Sequence, residues 1–81
     1  MAQLPNTPPA LRAEILARLA VRMGAARGLR KAVDLSQSDV ARHLGMSQAA
    51  ISRYEAGSSR PTGQVGARYL AFLAQIMGGK R

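Results

Sequence analysis

The chain has 81 residues, no cysteine, and a formal charge of +8 from twelve basic and four acidic side chains. A chain of this length closes one small core, burying roughly 60 to 65% of its unfolded surface without staples, and the missing cysteines exclude disulfides and thiolate metal sites and fit a reducing cytoplasm. The longest apolar run, Tyr69 to Ala74, is too short to span a bilayer, and residues 1–9 lack a basic segment followed by an apolar stretch, so neither a membrane partner nor a secretory leader is expected. The charge excess calls for a polyanionic partner such as nucleic acid. It is uneven: residues 1–33 carry +5, residues 34–60 are neutral and residues 61–81 carry +3.

In chain order, residues 1–7 are expected to be a flexible start. Thr7, Pro8 and Pro9 then open a helix, because proline is tolerated in the first turn, where amide hydrogens lack helical partners. Leu11, Ile15, Leu19, Met23 and Ala26 recur at helical spacing, with Arg30 and Val33 continuing that side and Arg12, Arg18, Arg22 and Arg27 falling largely outside it. Gly24 and Gly28 weaken this run by about 1 kcal/mol each relative to alanine, which leaves a kink or break near Gly24 as the alternative. We expect one continuous helix over residues 8–33, with its apolar stripe in the core.

Residues 37–56 divide into two short helices joined by a turn. Ser36, with Asp39 three residues later, forms a capping box, and Val40, Ala41 and Leu44 make one apolar face. Ala41 is small where the next helix crosses. Gly45 stands where the chain reverses in a left-handed conformation, which costs a residue with a Cβ roughly 1 kcal/mol. Met46 fills the turn's underside and Ser47 caps the next helix. Gly57 ends that helix, a polar loop runs to Pro61, and Thr62 caps a last helix over residues 62–77, whose apolar face is Val65, Tyr69, Phe72, Leu73, Ile76 and Met77. Residues 78–81 form a basic tail, and the whole of residues 1–81 is expected to be one domain.

The helix that starts at Gln48 has two chemically opposite sides. Ala50, Ile51 and Tyr54 face inward, whereas Gln48, Ala49, Ser52, Arg53 and Ala56 make a second stripe of small or hydrogen-bonding side chains. A major groove about 12 Å wide accepts a helix with such an edge. Gln48 matches adenine, Arg53 matches guanine or a phosphate, and Ala49 and Ser52 match a thymine methyl. Amides at the helix starts near Gln37 and Gln48 suit phosphates. Arg22 and Arg27 are further candidates for phosphate contact, and His43, on the outer side of its helix, is either solvent-exposed or a phosphate contact. His43 has no second metal ligand, and the four acids serve as caps, turn and pair. No cofactor, metal or catalysis is expected.

Ser36-Gln37, Leu44-Gly45, Ser47-Gln48, Ile51-Ser52-Arg53, Glu55-x-Gly57 and Arg60-Pro61 together resemble the Cro/C1 type, also called XRE type, of helix-turn-helix regulators over residues 29–62. The resemblance implies an all-α, compact four- to five-helix bundle of lambda-repressor-like type. It places Gln37, Ser47, Gln48, Ala49, Ser52 and Arg53 toward DNA and brings Ser58, Ser59 and Arg60 near the backbone. It also implies a structural ion pair between Arg30 and Glu55. The chain departs from the pattern in its longer N-terminal part and in lacking the family's last helix. Leu11, Ile15, Leu16 and Leu19 are therefore expected to pack on the final helix or to form a subunit contact, for which the Phe72, Ile76 and Met77 end of the last helix is the other candidate. Gly63 and Gly66 are either solvent-exposed or a place where another chain approaches.

One such helix reads only a few base pairs, while specific sites need about 4 to 10 kcal/mol of discrimination. The expectation is a homodimeric cytoplasmic repressor on an operator of two half-sites roughly 34 to 36 Å apart. The alternative is an antitoxin or anti-factor whose main partner is a protein, a toxin or a polymerase component, and which uses DNA for autoregulation.

Overall fold

The computed structural model describes residues 8–78, apart from the side chain of Ala10. Five helices follow one another among these residues: α1 (Pro9–Arg22), α2 (Ala26–Ala32), α3 (Gln37–Leu44), α4 (Gln48–Ala56) and α5 (Gly63–Gly78). The expectations for residues 1–7 and for the end of the tail lie outside the described residues.

The expected single helix over residues 8–33 is two. Gly24 adopts φ +77°, the Ala25 amide donates to the Ala20 carbonyl at 2.8 Å, and the Gly24 amide donates to that of Val21 at 3.1 Å. This pair of bonds satisfies the last carbonyls of α1 and turns the chain away from its axis. Glycine took the stop that its helix-weakening character had left open. α2, α3 and α4 end in the same way, with Asp34 at φ +58° after α2 and with Gly45 and Gly57 left-handed after α3 and α4.

Which face of α1 is buried also differs from expectation. Ala17, Ala20 and Val21 are buried, whereas Leu11, Ile15, Leu16, Leu19 and Met23 are exposed, Leu11 by 48% and Met23 by 73%. α1 packs chiefly on α5, and a groove of about 370 Å³ between them is lined by Ala13 and Glu14 of α1 and by Ala67, Leu70, Ala71, Ala74 and Gln75 of α5. The face of α1 turned to the core is built of small side chains, Ala17, Ala20 and Val21. The large apolar groups consequently point outward.

On α5 the buried residues are Gly66, Tyr69, Leu70 and Leu73, so Leu70 replaces the expected Val65 and Met77, both of which are exposed. Gly66 faces neither solvent nor another chain. A Cβ built on it would stand 2.4 Å from the Pro61 carbonyl carbon, so its hydrogen is what lets the loop after α4 lie flat on α5. The core gathers Val40 and Ala41 from α3, Ile51 and Tyr54 from α4, and Tyr69, Leu70 and Leu73 from α5. Burying each of the larger aliphatic side chains contributes about 1.5 to 3 kcal/mol. The Tyr54 and Tyr69 rings stack obliquely, with centroids 4.7 Å apart and planes at 38°.

Candidate nucleic-acid interface

Local sequence sets the start of both helices of the pair α3 and α4. Ser36 Oγ accepts from the Asp39 amide at 2.9 Å, and Asp39 Oδ2 accepts from the Ser36 amide at 3.0 Å, closing the capping box. These bonds from Ser36, with the Arg42 guanidinium 2.8 Å away, hold the Asp39 carboxyl below the usual carboxylate range. Ser47 Oγ accepts from the Ala50 amide at 3.1 Å. Because Ile51 and Tyr54 are buried, the rotation of α4 is set, and Gln48, Ala49, Ser52, Arg53 and Ala56 are left exposed along its opposite edge.

From this edge a chain of hydrogen bonds runs from Ser38 to Glu55. Ser38 Oγ donates to Gln48 Oε1 at 2.9 Å, Gln48 Nε2 to Gln37 Oε1 at 3.4 Å, and Gln37 Nε2 to Glu55 Oε1 at 3.0 Å. Arg30 closes it, its Nε 2.6 Å from Glu55 Oε2, while its Nη1 donates to the Leu35 carbonyl at 2.7 Å. The Arg30 and Glu55 side chains are only 9% and 5% exposed. Burial pushes the Glu55 carboxyl upward, but the bonds from Arg30 and Gln37 and the Arg30 charge outweigh it and leave the group below its ordinary value. The bond to Glu55 likewise raises Arg30 above its own. The first side chain of α4 is thus tied to a buried ion pair, which narrows its choice of rotamers before any ligand arrives.

Ser38 is the member that sequence reasoning missed. It carries no mark except its place in the first turn of α3, one residue after Gln37, and its contact with Gln48 depends on how α3 crosses α4. The other expected positions separate into groups. Ser47 and Gln37 flank Gln48, with Gln37 half-buried, and Ser58, Ser59 and Arg60 follow α4 directly, the Ser58 amide donating to the Arg53 carbonyl at 3.0 Å. Arg27 is exposed, and its charge reaches Glu55. Arg22 stands with Arg60 at a different cavity. His43 sits elsewhere, beside Arg68, Phe72 and Gln75 of α5.

A helix-turn-helix family model matches residues 27–74, more than half of the chain, and the match spans α3 and α4 whole. The chain belongs to the Cro/C1-type (XRE-type) helix-turn-helix family. This is a family of DNA-binding transcription regulators. No curated protein matches the chain, and no solved structure does. α1 lies outside the residues that the Cro/C1-type model covers. Among the described residues, no helix is long and apolar enough to cross a membrane.

Proposed function

We propose that the chain is a sequence-specific reader of double-stranded DNA that acts in the cytoplasm as a small dimeric repressor, with α4 in the major groove of each half of an inverted repeat. The observation that carries this reading is the exposed edge of α4, polar and free of bulky apolar groups, with Gln48 braced by Ser38 and Gln37. Gln48 takes adenine and Arg53 takes guanine or a phosphate, while Ala49 and Ser52 touch thymine methyls. Gln37, Ser47, Ser58, Ser59, Arg60 and Arg27 contact the backbone around them. No cofactor or catalytic step enters. Replacing Gln48 or Arg53 by alanine is expected to cost about 1 to 3 kcal/mol on the cognate duplex and to relax preference at one position of each half-site. Competition binding against single-base variants measures both. A Gln48→Ala chain with undiminished discrimination removes the base-reading role.

The stripe Leu11, Ile15, Leu16, Leu19 and Met23 favours the N-terminal helix as the contact between two copies, because exposed large apolar groups in one row mark an interaction face. Leu19→Lys is expected to convert a dimer to single chains and to weaken binding to the full repeat far more than to one half-site. Mass in solution and half-site titration check this. A chain that is already single in solution assigns the same stripe to a protein partner, as an antitoxin or anti-factor would require.

A further inference from the structure

Arg18 and Arg22 stand one turn apart on α1, and Arg60 comes from the loop that follows α4. The three line one cavity of about 330 Å³, floored by Val21, Pro61 and Leu70. No acidic residue lines it. Glu14 engages Arg18 from outside at 3.0 Å, but both side chains are about half exposed, so solvent screens that pair and it neutralises the cluster weakly. The Arg22 and Arg60 side chains have no hydrogen-bond or ion-pair partner among the described residues. Guanidinium groups repel one another, and gathering them over an apolar floor raises that cost. Pro61 is buried against Gly66 of α5, which fixes where the loop carrying Arg60 lies on that helix.

We propose that this cavity is a clamp for one phosphate of the DNA backbone, flanking the bases that α4 reads. The clamp rests on the DNA-reading function proposed above and extends it onto α1, outside the residues 27–74 that the family model covers. Planar guanidinium forks bind phosphate oxygens two at a time, and the apolar floor strengthens the attraction by lowering the local dielectric. The charge distribution calls for such a device. Residues 34–60, which hold the reading helix, are neutral, whereas residues 1–33 carry +5. The clamp joins charge from the N-terminal helix to Arg60 of the loop that follows α4.

The test uses the full chain and its Arg22→Ala, Arg60→Ala and Arg22→Ala/Arg60→Ala variants, each binding the selected duplex and an unrelated one over a range of salt concentrations. Each single variant should weaken binding to both duplexes by the same factor, leaving their ratio unchanged, and should reduce the slope of log affinity against log salt by about 1. The losses should not add in the double variant, because both side chains hold one phosphate. Arg68→Ala, an equal change of charge away from the cavity, should leave the slope as it was. Unchanged slopes in Arg22→Ala and Arg60→Ala, or an equal loss in Arg68→Ala, overturn the clamp while DNA reading stands. An unmodified chain with no preference among duplexes defeats the reading itself. Inorganic phosphate that shifts the Val21 and Arg22 amide resonances, with DNA slopes unaltered by the variants, would overturn the clamp in favour of a site for a free phosphate.

Discussion

Glu55→Gln should lower the stability of the fold by about 3 to 5 kcal/mol, the range found when one partner of a buried ion pair is removed and the other charge is stranded. Arg30 is 7% exposed, and its remaining bond to the Leu35 carbonyl does not neutralise it. Urea denaturation measures the loss as a fall in midpoint at constant slope. Removing both charges together, as Arg30→Met/Glu55→Leu, should recover most of the loss, because two buried apolar groups replace an ion pair at little net cost. The same pair sets a pH dependence. The Glu55 carboxyl titrates near its ordinary 4.5 when unfolded and below it when folded, so the unfolded chain binds more protons in the interval between. The contribution of Glu55 is complete above about pH 4.5 and disappears as pH falls through the lower, folded value. Asp39 titrates in the same direction. In Glu55→Gln the Asp39 part of the acid slope should persist and the Glu55 part should vanish. An unaltered slope would mean that Glu55 does not bind protons differently in the two states.

Gly66→Ala should destabilise by about 1 to 3 kcal/mol, the usual cost of forcing an extra methyl group into filled space. The added Cβ meets Pro61 backbone atoms at 2.4 and 2.9 Å, and backbone cannot rotate away as a side chain does. The loop that carries Ser58, Ser59 and Arg60 would have to lift from α5. Gly28→Ala should do the opposite. A Cβ there meets nothing within 4 Å, and Gly28 lies inside α2, so the gain is about 0.4 to 1 kcal/mol from helix propensity and a less free unfolded chain. Thermal melts of the two variants should therefore move in opposite directions. Two shifts of the same sign would contradict the tight contact between α5 and the loop.

The contrast between these glycines shows what the sequence could and could not reveal. Caps and left-handed turns are local devices, so Ser36, Gly45, Ser47 and Gly57 marked α3 and α4 before any fold was known, and the alternation of Ile51 and Tyr54 with Gln48, Ser52 and Arg53 gave the rotation of α4. Gly24 and Gly28 look alike by propensity, yet only Gly24 takes a positive φ. That difference depends on α1 and α2 having separate places to pack. The buried face of α1 was hidden because alanine has little hydropathy; Ala17 and Ala20 count for less than leucines at any spacing, and their value arises only once α1 lies on α5. Ser38 acquires its role where α3 crosses α4 and Gly66 where the loop after α4 lies on α5, and no spacing rule within one segment can express either.

The central claim is that the outward edge of α4 selects base sequence. Selection of binding sites from random duplex DNA, run in parallel with the unaltered chain and with Gln48→Ala, tests it most directly. The unaltered chain should enrich an inverted repeat, and the variant should enrich the same repeat with one position in each half degenerate. Identical motifs from both proteins, or no motif from the unaltered chain, would contradict the account.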